Sequence, residues 1–164
     1  MRRKCNVLII GSLQKEPIKE ELIFLDKLVA GLLDMGLIIN NSNGQLLGQY
    51  ITAAVLRYAV RNGRIYLGLT RQFVPLQRSL FPKSMDDFGA LSLLHKEEMI
   101  AKSDFVISIG GCTGTAYEVE LAKKNKKVIS FVPQFGGYSK EQYPRTILGH
   151  EPPVPEIIAA LFGW

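Results

Sequence analysis

The sequence predicts an α/β fold: a Rossmann-like, doubly wound parallel sheet of about five or more strands with helices on both faces. Short apolar segments alternate along the chain with longer segments whose apolar residues recur at helical spacing. Repeated strand–helix–strand units form right-handed crossovers, which build a parallel sheet covered on both sides. The 164 residues contain no internal repeat and no linker, so a single domain over 1–164 is predicted.

Five segments have the composition of buried parallel strands, in which apolar and β-branched residues follow one another without interruption. The first, NVLIIG, stops at a glycine, and the fourth, DFVISIG, does the same. The third, RIYLGL, is followed by an irregular segment over 70–90, for which we predict a flap over a pocket. The predicted strands are 6–11, 37–40, 64–69, 104–110 and 127–132.

Helical periodicity fills the intervals between these strands. Glycine after the first helix provides a C-cap, and an Asn-Gly pair ends the second. The segment 133–155, which contains five prolines and three glycines, is predicted as a loop. The predicted helices are 16–35, 46–61, 91–102, 116–125 and a short one from about Pro155.

Composition narrows the class of protein. Apolar residues make up 47% of the chain, yet no apolar run is long enough to span a membrane and the N-terminus does not resemble a signal peptide. We therefore expect a cytoplasmic protein in which Cys5 and Cys112 are reduced thiols. No spacing of side chains predicts a metal site, and no cofactor is expected. The formal charge of +5 favours an anionic partner.

In such a sheet, ligands bind beyond the carboxyl ends of the strands. Four segments lie there: the loops after the first, second and fourth strands and the segment 70–90. Two of them, after the second and fourth strands, are rich in Gly, Asn, Ser and Thr, and backbone N–H groups at a following helix attract phosphate. The alternative is that these glycines only allow a tight strand-to-helix connection. Neither GxxxxGK[ST] nor GxGxxG is present, which disfavours a P-loop ATPase or an ordinary NAD dehydrogenase. The candidate phosphate-binding residues are Gly11, Ser12, Asn43, Gly44, Gly110, Gly111, Thr113, Gly114 and Thr115.

Charged side chains near these loops complete the candidate site. Glu118 is predicted in the first turn of the helix after the fourth strand, where it can bind ribose hydroxyls or act in acid–base chemistry. Glu120 is expected to be a surface or packing residue. Arg71 directly follows the predicted third strand, where its guanidinium can reach a phosphate.

The segment 94–129 resembles the SLOG superfamily, a group of Rossmann-like domains named after the Smf and LOG proteins. LOG-type phosphoribohydrolases carry a helix ending in Met, a Ser-Asp-Ala entry to a strand and then PGGxGTxxE. Here the matching residues are Met99, Ser103, Asp104, Gly110, Gly111, Gly114, Thr115 and Glu118. Segment 9–12 resembles the family's first strand and turn, and 45–54, which contains Leu47, resembles its GLMG helix entry. Where LOG enzymes have a catalytic arginine, this sequence has His95.

Two other branches of the superfamily are also similar. GGCTGTAYEVELA resembles a stretch of molybdenum-cofactor carrier proteins. YLGLTRQFVP and HKEEMIAKSDFVI resemble the SLOG sensor domain of NADase effectors in Thoeris anti-phage defence, which binds a cyclic ADP-ribose signal. That resemblance implies that Arg71 and Lys96 each hold a phosphate and that Glu118 holds a ribose. The resemblance also implies homodimers or higher homo-oligomers, for which the apolar helix over 46–60 offers a surface; the alternative is that this helix packs in the core.

The leading prediction is a module that binds an ADP-ribose-type signal in bacterial anti-phage defence. The alternatives are a LOG-type phosphoribohydrolase with Glu118 as its carboxylate and a molybdenum-cofactor carrier. Nucleic acid is not the expected partner, because no stripe of basic and aromatic residues is present.

Overall fold

The computed structural model describes residues 4–41, 45–72, 88–143 and 152–163. These residues form a five-stranded, fully parallel sheet with helices on both faces, which confirms the predicted fold class. The strands are β1 (Asn6–Ser12), β2 (Ile38–Asn41), β3 (Thr70–Gln72), β4 (Phe105–Gly110) and β5 (Val128–Val132). The helices are α1 (Lys19–Asp34), α2 (Gln45–Arg61), α3 (Phe88–Ala101), α4 (Thr113–Lys124), α5 (Gly137–Gln142) and α6 (Val154–Phe162).

The strand order β3-β2-β1-β4-β5 fixes where a ligand can approach the sheet. The chain first builds outward from β1 to β3 and then crosses back to place β4 on the other side of β1. The order therefore reverses between β1 and β4, and the loops that follow these two strands diverge there. This switch point at the carboxyl ends of the strands is the usual ligand crevice of an open α/β sheet.

Two apolar layers cover the sheet. Val7 and Ile9 of β1 pack into the larger layer with α1, α2 and α6, whereas Leu8 and Ile10 pack into the layer formed with α3 and α4. All four side chains are at most 4% exposed. A strand buried on both faces favours apolar residues at successive positions, which explains the unbroken VLII run.

The third strand differs from the prediction. Residues 64–69 were expected to form it, but Tyr66–Gly68 is a 3₁₀ turn and the strand is Thr70–Gln72, paired with Ile39–Asn41. Ile65 and Leu67 are 80% and 82% exposed, so they do not face a core. The 17-residue α2 is about 25 Å long and β2 has only four residues, so the chain needs residues 62–69 to return to the sheet.

The helices α1 and α3 begin at Lys19 and Phe88 rather than at residues 16 and 91, and two further differences bear on the site. The helix α4 begins at Thr113 rather than at residue 116, so Gly114 and Thr115 are helical and Glu118 lies in the second turn instead of the first. The segment predicted as one loop over 133–155 contains α5. Within the described ranges, no helix is both long enough and apolar enough to cross a membrane. The predicted flap falls largely on residues 73–87, outside the described residues.

Candidate functional site

The glycines at the ends of β1 and β4 are required by close packing of the two strands. A Cβ at Gly11 would lie 1.9 Å from the carbonyl oxygen of Ile109, and a Cβ at Gly110 would lie 2.4 Å from that of Ser12. The N–H of Gly111 donates a 2.9 Å hydrogen bond to the same Ser12 oxygen. The first part of the glycine motif therefore has a structural role. It is the tight connection that the sequence analysis gave as the alternative to phosphate binding.

The helix α5 closes the turn from the other side. The N–H of Tyr138 donates to the carbonyl of Gly111 at 3.0 Å, and the hydroxyl of Ser139 donates to the carbonyl of Gly110 at 2.8 Å. Ser139 is fully buried and also shares a 2.8 Å hydrogen bond with the hydroxyl of Ser108. These bonds fix the turn and occupy its carbonyl groups. The sequence analysis missed Ser139, although the Gly-Gly pair just before it was a signal for a tight approach.

The open part of the motif begins with α4. Thr113 and Gly114 are exposed, and a Cβ at Gly114 would have no atom within 4 Å. Within the described residues, no side chain makes a capping hydrogen bond at Cys112, the N-cap. The first N–H groups of a helix have no partner inside the helix, and they favour an anion. Thr115, by contrast, is only 4% exposed, and it packs against Gly111.

An ion pair between α3 and α4 flanks this open turn. The ammonium of Lys96 lies 3.3 Å from Oε1 of Glu118, and the two side chains are 26% and 16% exposed. The same ammonium lies 5.6 Å from the centre of the Tyr117 ring. The sequence resemblance assigned Lys96 and Glu118 to different parts of a ligand but did not predict that they contact each other. The position of the LOG arginine is occupied by His95, and the next residue, Lys96, is the one that pairs with Glu118.

Burial of Glu118 affects its protonation. Desolvation raises the pKa of this carboxyl above its ordinary value, and the charge and hydrogen bond of Lys96 offset the rise only in part. The folded protein therefore binds a proton at Glu118 more tightly than the unfolded chain does. Glu120 on the same helix is exposed and pairs with Lys123 at 2.7 Å, as expected of a surface residue.

The other candidate residues lie in different places. Ser12 is half-buried at the end of β1, and Arg71 is exposed in β3 itself rather than in the loop after it. Leu47 is 3% exposed in the apolar core, so its side chain does not reach the sheet edge. Asn43 and Gly44 lie outside the described residues.

The Met99 and Ser103-Asp104 part of the motif connects helix and sheet. The hydroxyl of Ser103 donates to the carbonyl of Met99 at 2.9 Å and accepts from the side chain of Asn40 at 2.8 Å. The carboxylate of Asp104 accepts the N–H of Asn6 at 2.7 Å. These bonds anchor the end of α3 to β1 and β2, and so they help to set the position from which Lys96 extends.

Solved structures with the same fold include a structural-genomics target, a Moco carrier protein and a DNA processing protein. TM1055, a structural-genomics target, has a TM-score of 0.60 and 19% identity, over 93% of this chain and 88% of its own. The Moco carrier protein of Chlamydomonas reinhardtii has a TM-score of 0.59 and 18% identity, over 98% and 97%. DNA processing protein A from Helicobacter pylori, described as binding single-stranded DNA, has a TM-score of 0.63 and 16% identity, over 97% and 80%.

This chain shares its fold with these proteins. These identities are all below 20%, so the likeness establishes the fold and not the ligand. No protein-family model matches the sequence, and no characterised protein has significant sequence similarity to it. The site itself must therefore carry any functional conclusion.

Proposed function

We propose that this chain binds a nucleotide-derived, phosphate-containing molecule of the ADP-ribose type and serves as a signal-binding module. The observation that carries the proposal is the Lys96–Glu118 ion pair beside the open first turn of α4. A ligand phosphate at this turn is stabilised by the helix N–H groups and by the Lys96 ammonium. Ribose hydroxyls donate hydrogen bonds to Glu118, which replaces its contact with Lys96.

Arg71 supports a ligand that extends across the edge of the sheet. The strands β3 and β4 are three strand spacings apart, about 14 Å between axes. An arginine side chain covers roughly half of that distance. A ligand that contacts both Arg71 and the start of α4 therefore belongs to the class of molecules that can bridge the remaining distance of roughly 7 Å. Cyclic ADP-ribose, the ligand implied by the resemblance to Thoeris sensor domains, and linear ADP-ribose both belong to this class.

Titration calorimetry with a panel of nucleotides tests the proposal. Cyclic ADP-ribose isomers, ADP-ribose, NAD and AMP are titrated into the purified chain, and we expect saturable binding of at least one ADP-ribose-type ligand. Lys96→Met should weaken that binding, whereas Lys123→Met, which removes an exposed lysine from α4, should not. Absence of binding by every member of the panel at millimolar concentration contradicts the proposal.

A phosphoribohydrolase is the second candidate, and the raised pKa of Glu118 favours it. A carboxyl whose pKa is raised by burial keeps its proton to a higher pH than an exposed one, and a protonated carboxyl can act as a general acid when a base leaves the sugar. Release of free adenine from AMP, abolished in Glu118→Gln, would establish this activity. Binding of AMP without release of adenine would leave the binding module as the better description.

A molybdenum-cofactor carrier is the third candidate, favoured by the fold shared with the Chlamydomonas protein over nearly the whole length of both chains. Its ligand is a phosphorylated pterin, and the phosphate could bind at the same open turn. Mass spectrometry of the small molecule that co-purifies distinguishes the two ligands. A pterin would replace the nucleotide proposal, and an adenine nucleotide would exclude the carrier.

Homo-oligomer formation belongs to the same proposal. The end of α2 and the segment that follows expose four large aliphatic side chains, with Val60, Ile65 and Leu67 each at least 80% exposed and Leu56 45% exposed. Exposed apolar groups this close together favour a protein contact. Light scattering should give a mass above that of one chain, and Val60→Asp should reduce it. A monomer at all concentrations contradicts this part of the proposal.

A further inference from the structure

Tyr117 lies next to the ion pair and was absent from the residues predicted by the sequence. It precedes Glu118 on α4, and its side chain is 40% exposed. The ammonium of Lys96 lies 5.6 Å from the centre of its ring and 3.3 Å from Oε1 of Glu118. Two consecutive residues of α4 therefore contact the same ammonium from α3.

A lysine ammonium held by one carboxylate is poorly fixed. The side chain has four rotatable bonds. The net free energy of a partly exposed ion pair is small, because holding the side chains in place costs conformational entropy. An aromatic ring attracts the ammonium through the negative charge density on its face, and this attraction does not depend on the protonation state of Glu118. The ring can therefore retain Lys96 when Glu118 binds a proton or a ligand hydroxyl.

We infer that Tyr117 is a positioning residue whose ring holds the Lys96 ammonium between α3 and α4. The ammonium stays beside the open turn of α4 when Glu118 turns to another partner. Tyr117 lies three residues after Gly114, on the same side of the helix, which places the held cation near the N–H groups that would bind an anion. The effect on ligand binding rests on the proposed function, but the positioning of Lys96 does not.

Titration of the Glu118 carboxyl tests the positioning without a ligand. Glutamate side chains are labelled with carbon-13, the Glu118 signal is assigned by its loss in Glu118→Gln, and its pKa is measured by NMR. Lys96→Met should raise this pKa, because Lys96 opposes the effect of burial. Tyr117→Phe keeps the ring, so its Glu118 pKa should equal that of wild type. Tyr117→Leu removes the ring and should raise the pKa toward the Lys96→Met value.

The outcomes separate positioning from a purely structural role. The inference is overturned if the Glu118 pKa of Tyr117→Leu equals that of wild type while the Glu118 pKa of Lys96→Met is raised. This holds even if Tyr117→Leu is less stable. An equal rise in Tyr117→Phe and Tyr117→Leu also overturns it, because the hydroxyl and not the ring would then act. If Tyr117→Leu folds poorly, Tyr117→Met serves the same test, since the site is partly exposed. A further rise on adding Tyr117→Leu to Lys96→Met also counts against it.

Calorimetry with ADP-ribose extends the test to the site. Tyr117→Leu should weaken binding by about fivefold to tenfold, which corresponds to the usual strength of a cation–π contact, and Tyr117→Phe should stay within about twofold of wild type. Failure of wild type to bind ADP-ribose would count against the proposed ligand, and the carboxyl titration would still decide the role of Tyr117.

Discussion

The ammonium of Lys96 lies 3.3 Å from the carboxylate of Glu118 and joins α3 to α4. Neither side chain is fully exposed, and Glu118 is desolvated strongly enough that its pKa is raised despite the nearby cation. A phosphate bound to Lys96 and a hydroxyl bound to Glu118 would replace the contact between these two side chains. The ion pair therefore defines the type of ligand that the site can accept: an anionic group next to hydrogen-bond donors.

The stability of the protein should depend on pH through Glu118. Its raised pKa means that the folded state binds a proton more tightly than the unfolded state, so the free energy of unfolding falls as pH rises from about 4.3 through the raised pKa. Glu118→Gln lacks this titration and should be the more stable protein at neutral pH. Urea denaturation of both proteins over this pH range measures the difference.

Glu120→Gln is the matched control, because Glu120 is an exposed glutamate on the same helix. It should retain the pH dependence of wild type. A Glu118→Gln protein whose stability falls with pH as steeply as that of wild type would show that burial of this carboxyl has no energetic effect.

Alanine substitutions at Gly110 and Gly114 should have opposite effects on stability. Gly110 has a φ of 59° and its Cβ would lie 2.4 Å from a carbonyl oxygen, so Gly110→Ala should lower the free energy of unfolding by about 2 kcal/mol or more. Gly114 is helical and open, so Gly114→Ala should be neutral or stabilising by up to about 1 kcal/mol. Thermal denaturation compares the two. Equal destabilisation would contradict the division of the motif into a packed and an open part.

Removal of the Ser139 hydroxyl should loosen the glycine turn. It leaves the Gly110 carbonyl and the Ser108 hydroxyl without this partner, and Ser139→Ala should cost about 1–3 kcal/mol of stability. Lys140→Ala, at the exposed neighbouring position of α5, should stay within about 0.5 kcal/mol of wild type. Chemical denaturation gives both values, and a Ser139→Ala protein as stable as Lys140→Ala would contradict the role of α5.

Arg71 should discriminate between large and small nucleotides. If a dinucleotide-sized ligand spans from β3 to the start of α4, Arg71→Ala should weaken the binding of ADP-ribose by about 1.5–3 kcal/mol. The binding of AMP should be almost unchanged. Calorimetry with the two ligands measures the difference. An equal loss for AMP would place its phosphate at Arg71 instead of at α4.

Much of the fold follows from local patterns in the sequence. Largely apolar runs predicted β1 and β4 to within one residue, because a strand buried on both faces has few polar positions. The segment 64–69 has the same composition, yet the long α2 before it leaves no room for pairing until Thr70. That constraint is tertiary and is not visible in six residues of sequence. The six-residue α5 is too short to show a helical period.

The candidate site was predictable in its location but not in its contacts. Glycine, threonine and a glutamate after a buried strand indicated the carboxyl edge of β4. The pairing of Lys96 with Glu118 depends on which side of α3 faces α4, and adjacent residues on a helix differ by about 100°. The resemblance assigned Lys96 to a phosphate but could not show that it pairs with Glu118. Nor could it show that Gly110 and Gly111 pack against the protein itself while Gly114 stays open.

Calorimetric titration of ADP-ribose into wild type, Gly114→Ala and Gly89→Ala tests most directly whether the start of α4 holds a ligand phosphate. Gly89 is the control, because it lies in the first turn of α3 and its added methyl group would also meet no atom within 4 Å. A methyl group at Gly114 would occupy the approach to the helix N–H groups. We predict saturable binding to wild type and Gly89→Ala, and a loss of at least about tenfold in affinity for a folded Gly114→Ala. Equal affinity for all three proteins would contradict a phosphate site at α4.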